Sequence, residues 1–329
     1  MAPRHALGID FGGTKLLAAV VDTDTGEVVA TAKKKSSAQD RPEELMGRLY
    51  DAGEAALKAA KLKPPQISGI GVGIAGQVDA DRGILLGTPN LSQATVDLPM
   101  AKLLRERFGV PAALRNDVQI AALGELHFGA GRGVADFLCV FVGTGVGGAI
   151  VRGGEIVTGA AGSAGEIGHL VVDAGGRHCG CGGHGHLEAY ASRTAITRSL
   201  LGDLKRGRAT VLRELVPDLE QQDAPGGTAI RSGVLAKAIK AGDELTTETV
   251  HEAGRYLGLG IASAINLLNP QRIVLGGGVI EAVDLLFDVA ARYARLESLP
   301  TPARSVEIVR AGLGDNAGVV GAALLGAGA

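Results

Sequence analysis

The spacing of apolar and polar residues changes period several times along the chain. Residues 6–11 (ALGIDF) are a short apolar run that ends in DFGGTK. LLAAVVD and GEVVATAKKK follow, separated by turn residues at Asp24–Gly26. This pattern predicts a meander of three strands. Over 42–61 the period lengthens, and Leu45, Leu49, Gly53, Ala56 and Ala60 fall on one helical face. Pro42, Glu43 and Glu44 suit the first turn of that helix. ISGIGVGIAGQVD then reads as a buried strand and a loop, and 98–108 as a helix closed by Gly109. PAALRND is a strand running into a helix over 118–128. FLCVFVGTGVGGAIV (137–151) is a pair of apolar strands around a glycine turn, and 159–188 has almost no periodicity. Further helices are expected over 188–201, 246–268, 281–297 and 316–326, with strands at RIVLGGG and SVEIVRAGL.

One motif repeats within this pattern. Strand, glycine turn, strand occurs at DFGGTK (10–15) and again at FVGTGVGG (141–148), each followed by helices and more strands. We therefore expect two α/β lobes of similar build. The boundary falls near 112–116, giving a small lobe of 1–113 with 316–329 and a large lobe of 114–315 that carries the 159–188 loop.

Both turns have the chemistry of a phosphate cradle. In the first, Gly12 and Gly13 let backbone N–H groups turn toward an anion, with Thr14 and Lys15 close behind. The second, with Thr144 and Gly145, offers the same features without a lysine. Asp10 could orient Mg²⁺ through water. A Walker A pattern is absent, and strands rather than a helix follow each turn, which excludes the dinucleotide fingerprint. Either turn alone reads equally well as a tight hairpin. Gly276, Gly277 and Gly278 form a third cluster, suited to adenosine lying near backbone or to a simple strand–helix turn.

Composition narrows the class. The 329 residues are 46% hydrophobic and 21% charged, a globular balance. Thirty-three basic residues against thirty-five acidic ones give a net charge of -2, which argues against a nucleic-acid partner. The three cysteines (139, 179 and 181) cannot build a disulfide framework and suit a reducing compartment. Charge-free runs are glycine-broken and shorter than the ~18 apolar residues of a membrane span. We expect a cytoplasmic protein without a membrane partner.

His169, Cys179, Cys181 and His186 lie in the aperiodic loop with spacing that suits a structural Zn²⁺; His178 and His184 are rival ligands. Asn116 and Asp117 follow a strand and open a helix, as caps or as a general base facing a crevice. Glu166, His169 and Glu188 suit the hydroxyls of a sugar, which both accept and donate.

DFGGTK, the RND helix start, FVGTGVGG, GSAGEIGHLVV, the CGCGG-to-LEAYAS stretch and INLLNPQRIVLGGG together resemble the ROK family, from residue 7 to about 325. The resemblance implies an actin-like ATPase (ribonuclease H-like) α/β fold, with a cleft between two lobes. It implies ATP-dependent phosphorylation of a hexose, most often glucose at O6 as in glucokinase, with Mg²⁺ and a structural zinc. Asp117 would be the base. Asn90, Asn116, Glu166, His169 and Glu188 would hold sugar hydroxyls. Asp10, Gly12, Gly13, Thr14, Lys15, Thr144, Gly145 and Gly276 to Gly278 would face the nucleotide. His169 would serve zinc and sugar alike. The family also implies a homo-oligomer, dimer or tetramer. Three positions depart from its pattern: His186 replaces a cysteine, Gln119 an asparagine and Ala75 a proline. Kinases for N-acetylmannosamine, N-acetylglucosamine, mannose or fructose are alternatives, polyphosphate is an alternative donor, and a sugar-responsive regulator is a rival reading. Regulators carry a helix-turn-helix ahead of the first hairpin, for which no room is expected here.

Overall fold

The structure is a computed structural model that describes residues 4–12, 15–35, 41–88, 95–217, 219 and 229–328, with the backbone alone of Lys15. Gly13, Thr14, Asn90 and the side chain of Lys15 lie outside the described residues.

The chain begins with β1 (His5–Phe11), β2 (Lys15–Asp22) and β3 (Val28–Lys35), followed by α1 (Pro42–Ala59) and β4 (Ile70–Ile74). A short pair, β5 (Gln77–Asp79) and β6 (Ile84–Gly87), precedes α2 (Met100–Phe108), β7 (Ala112–Asn116) and α3 (Asp117–Phe128). Then come β8 (Phe137–Val142), β9 (Val146–Arg152) and β10 (Glu155–Ile156). Helices α4 (Glu188–Ala191), α5 (Arg193–Lys205), α6 (Leu212–Leu215), α7 (Ser232–Lys240) and α8 (Glu244–Leu268) lead to β11 (Arg272–Gly276). The remaining elements are α9 (Gly278–Ala282), α10 (Asp284–Glu297), α11 (Pro300–Ser305), β12 (Glu307–Arg310) and α12 (Ala317–Ala327).

The strand orders show the duplication. One sheet runs β3-β2-β1-β4-β7 and another β10-β9-β8-β11-β12. In the first, β1 pairs antiparallel with β2 and parallel with β4, which pairs parallel with β7. In the second, β8 pairs parallel with β11, and β11 with β12. Each sheet thus starts from a meander and continues into parallel strands.

Two compact units emerge, one of residues 1–135, 149–164 and 311–329, the other of 136–148 and 165–310. This division differs from the break expected after residue 113. Helix α3 and the residues from 311 onward belong to the first unit because α12 packs on α3, β1 and β4.

In the first unit, the two faces of β1 are built differently. Leu7, Ile9 and Phe11 join α1 and α2 residues, such as Leu45, Leu49 and Leu104, in one buried cluster. Ala6 instead joins Val319, Val320 and Ala323 of α12. Gly8 and Asp10 share the face of Ala6 by the two-residue period of a strand. A Cβ on Gly8 would stand 2.0 Å from the Val319 carbonyl oxygen, and one on Gly71 1.8 Å from that of Ala322. These glycines let α12 lie directly on the sheet. Helix α1 buries the face expected, and the Glu44 carboxylate accepts from the Arg41 N–H at 3.0 Å to close its first turn.

In the second unit, α8 packs along α10, and the Asp243 carboxylate caps α8 by accepting from the Thr246 N–H at 2.7 Å. The single helix expected over 188–201 is broken at Ser192, whose backbone is extended and whose hydroxyl accepts from the Ala195 N–H at 3.1 Å. A serine that caps the following turn ends α4 and starts α5. The helix expected over 281–297 is likewise two helices, parted by extended backbone at Val283. Among the described residues, no helix is long and apolar enough to cross a membrane.

Candidate functional site

The first unit gathers three carboxylates. Asp10 stands near the end of β1, Asp117 opens α3 directly after β7, and Asp315 precedes α12. Burial, and then the charges of Asp117 and Asp315, raise the Asp10 pKa from 3.8 to about 7. Asn116 is the cap of α3: its Oδ1 accepts from the N–H groups of Val118 (2.9 Å) and Gln119 (3.3 Å). Its Nδ2 donates to the Gly76 carbonyl at 3.3 Å, which ties the cap to the turn after β4. Asp117 therefore sits in the first turn of a helix.

Gln119 has a structural use. Its Nε2 donates to the Gly162 carbonyl at 2.9 Å, so this buried amide anchors the start of the glycine-rich loop. Glu125, also buried, accepts from the N–H groups of Ala130 (2.6 Å), Gly312 (2.9 Å) and Leu313 (2.9 Å). That clasp sets the approach to Asp315.

The second unit holds the other phosphate turn. Gly143 N–H donates to the Gly145 carbonyl at 2.9 Å, and the Arg193 N–H donates to the Gly143 carbonyl at 2.9 Å. The Thr194 hydroxyl donates to the Thr144 carbonyl at 2.8 Å. Glu188 Oε2 accepts from the Val146 N–H at 3.0 Å. A Cβ on Gly145 would meet that same oxygen at 2.3 Å, so any larger residue there would push the Glu188 carboxylate aside. Glu166 is half-buried; burial raises its pKa, His169 lowers it and Glu188 raises it. Gly276 ends β11, and Gly277 (φ +89°) is the N-cap of α9, its missing Cβ 2.5 Å from the Val142 carbonyl oxygen.

The cysteine–histidine ligands converge. The donor atoms of His169, Cys179, Cys181 and His186 all lie within 4.8 Å of one another. His169 Nδ1 is 3.4 Å from His186 Nδ1, Cys181 Sγ 3.1 Å from His186 Nδ1, and Cys179 Sγ 4.0 Å from His169 Nδ1. Ordinary Zn–N and Zn–S bonds in a tetrahedron put such atoms about 3.3–3.8 Å apart. The donor set and its spacing therefore fit one zinc ion, imidazole at 186 included. His178 and His184 pair with each other instead, with ring centroids 4.2 Å apart. Tyr190 braces the loop: its hydroxyl accepts from the Arg177 N–H at 2.7 Å and donates to Asp173 at 2.9 Å.

Sequence reasoning did not single out Asp315, Arg193 or Tyr190. Asp315 lies in a GDNAG stretch that looks like any turn, and Arg193 and Tyr190 look like surface and core residues of one helix.

A model of the ROK family matches residues 6–328. A glucokinase from Halalkalibacterium halodurans is 35% identical over 322 residues, covering 98% of this chain and 94% of that protein. The crystal structure of a ROK family glucokinase from Streptomyces griseus in complex with glucose and AMPPNP matches with a TM-score of 0.84 at 31% identity, covering 99% of this chain and 100% of the other. A DNA-binding transcriptional dual regulator from Escherichia coli is 31% identical over 318 residues, 97% of this chain and 74% of that protein.

Proposed function

We propose, since the chain belongs to the ROK family and has the actin-like ATPase fold of its sugar kinases, that it transfers the γ-phosphoryl group of ATP to O6 of glucose. The observation that carries this reading is the placement of Asp117. It follows a parallel strand directly, in the helix turn that Asn116 caps. A carboxylate held there can take the proton of a sugar hydroxyl. The hydroxyl oxygen then bonds to the γ-phosphorus as the bond to the ADP oxygen breaks, and the proton stays on Asp117. Phosphoryl transfer otherwise needs mainly positioned donors, which the turn at Thr144 and Gly145 is built to supply.

Asn116, Glu166, His169 and Glu188 are the proposed partners of the sugar hydroxyls, with Asn90 outside the described residues. Gly12, and Gly276 to Gly278, are proposed to border the nucleotide. Asp10 and Asp315 supply oxygen donors of the kind Mg²⁺ takes, and their mutual repulsion is what such a cation relieves. His169, Cys179, Cys181 and His186 would hold a structural zinc that fixes the 159–188 loop.

Two other readings have support. Another hexose as acceptor would leave fold and base unchanged. A regulator is favoured by the Escherichia coli relative, which matches at 31% identity over nearly the whole of this chain. A coupled assay of ADP release with ATP, Mg²⁺ and a hexose panel separates them. We expect turnover with glucose above that with N-acetylated sugars, and Asp117→Asn to lose about 10²–10⁴-fold in kcat while glucose still binds. Wild-type turnover in that variant removes Asp117 from the chemistry. No turnover with any hexose removes the kinase reading.

A further inference from the structure

The two phosphate turns differ in charge. The first carries Lys15, whereas Gly143 to Gly148 contains no cation. The fold brings one from 49 residues downstream: Arg193 Nη2 donates to the Thr144 hydroxyl at 2.8 Å. The position is fixed by backbone as well, because the N–H of Arg193 donates to the Gly143 carbonyl at 2.9 Å.

Three features show a guanidinium with donors to spare. Its Nε is buried and has no hydrogen-bond partner among the described residues. No described carboxylate pairs with it, and burial alone holds its pKa below the usual arginine range. It remains a cation at neutral pH nonetheless. The Thr144 hydroxyl, having accepted from Arg193, keeps its own hydrogen to give. A half-buried cation with an unused N–H, beside a glycine turn and a donating hydroxyl, is a set of groups that an anion completes. An arginine kept only to brace the turn would more usually find a carbonyl or carboxylate for its buried Nε.

We propose that Arg193 is the cation of the second phosphate turn, contacting a phosphate oxygen of the bound nucleotide directly and aiming the Thr144 hydroxyl at the same group. This rests on the kinase reading above, and it adds a contact that the sequence spacing hides.

The test is calorimetric, on the full chain, with ADP, AMPPNP, adenosine and glucose as separate ligands. Arg193→Gln should weaken ADP and AMPPNP roughly 10- to 100-fold, with adenosine and glucose affinities unchanged. Arg193→Lys, which keeps the charge, should recover part of the loss. A uniform fall for adenosine, ADP and glucose makes Arg193 a brace of the turn and overturns the proposal, as does unchanged ADP affinity. Should Arg193→Gln fail to fold, arginine modification of the wild type by phenylglyoxal, mapped by mass spectrometry, gives the answer. Protection of Arg193 by inorganic triphosphate is expected, and equal modification with and without it refutes the contact. A wild type that binds no phosphorylated nucleotide removes the kinase reading and this inference together. A wild type that binds ADP and phosphorylates a hexose while Arg193→Gln behaves identically removes this inference alone.

Discussion

Replacing Asp10 by asparagine should stabilise the protein, and by an amount that depends on pH. The carboxylate is pushed to about 7 from 3.8 by burial and by the charges of Asp117 and Asp315. In the unfolded chain the same group ionises near its ordinary value, around 3.9. Between roughly pH 4 and 7 the folded state therefore holds a proton that the unfolded state has released. Stability from this group is highest below pH 4, falls as the pH rises through that window, and is level above it. Each tenfold change in proton affinity is worth about 1.4 kcal/mol, so the full cost at pH 8 is at most on the order of 4 kcal/mol. Residual exposure screens the carboxylate, and about 2 kcal/mol is the working expectation. Asparagine keeps the shape and removes the charge. In EDTA, urea unfolding of wild type and Asp10→Asn should give equal midpoints near pH 4 and midpoints that separate progressively up to pH 7. A stability difference that stays constant from pH 4 to 8 would refute the reasoning, and so would a variant less stable at pH 8.

Two predictions concern the supports of the site. Glu125→Gln should lower stability by about 2–3 kcal/mol, because an amide cannot accept from three backbone N–H groups with a full charge; an unchanged urea midpoint contradicts this. Cys179→Ser and His186→Ala should each lower bound zinc, measured by plasma mass spectrometry on protein purified without chelator. Full metal content in either variant would show that the ligand set is wrong.

The sequence revealed the parts that depend on local chemistry. The meander, the helical face of α1 and the cap at Asn116 follow from residue types and period, and the structure has all three. The four zinc-type ligands could be named from spacing, yet only folding separates His186 from His178 and His184. What stayed hidden depends on distant partners. Ser192 breaks a helix whose periodicity runs through it, since its capping bond outweighs the weak propensity around it. Arg193 and Asp315 meet residues 49 and 305 positions away in sequence, and no pattern in a single chain shows that. The unit boundary was displaced for the same reason, because packing of α3 against α12 is a tertiary preference.

The seating of α12 has a consequence for how the chain is made. The first sheet, complete in its strands by residue 116, lacks the helix that covers the Ala6 face until residues 317–327 have been synthesised. Most of the other unit is translated in between. The unit that leaves the ribosome first is therefore the one that closes later, with an apolar sheet face open in the meantime. A nascent chain stalled between residues 135 and 311 should be a client for chaperones that hold such surfaces.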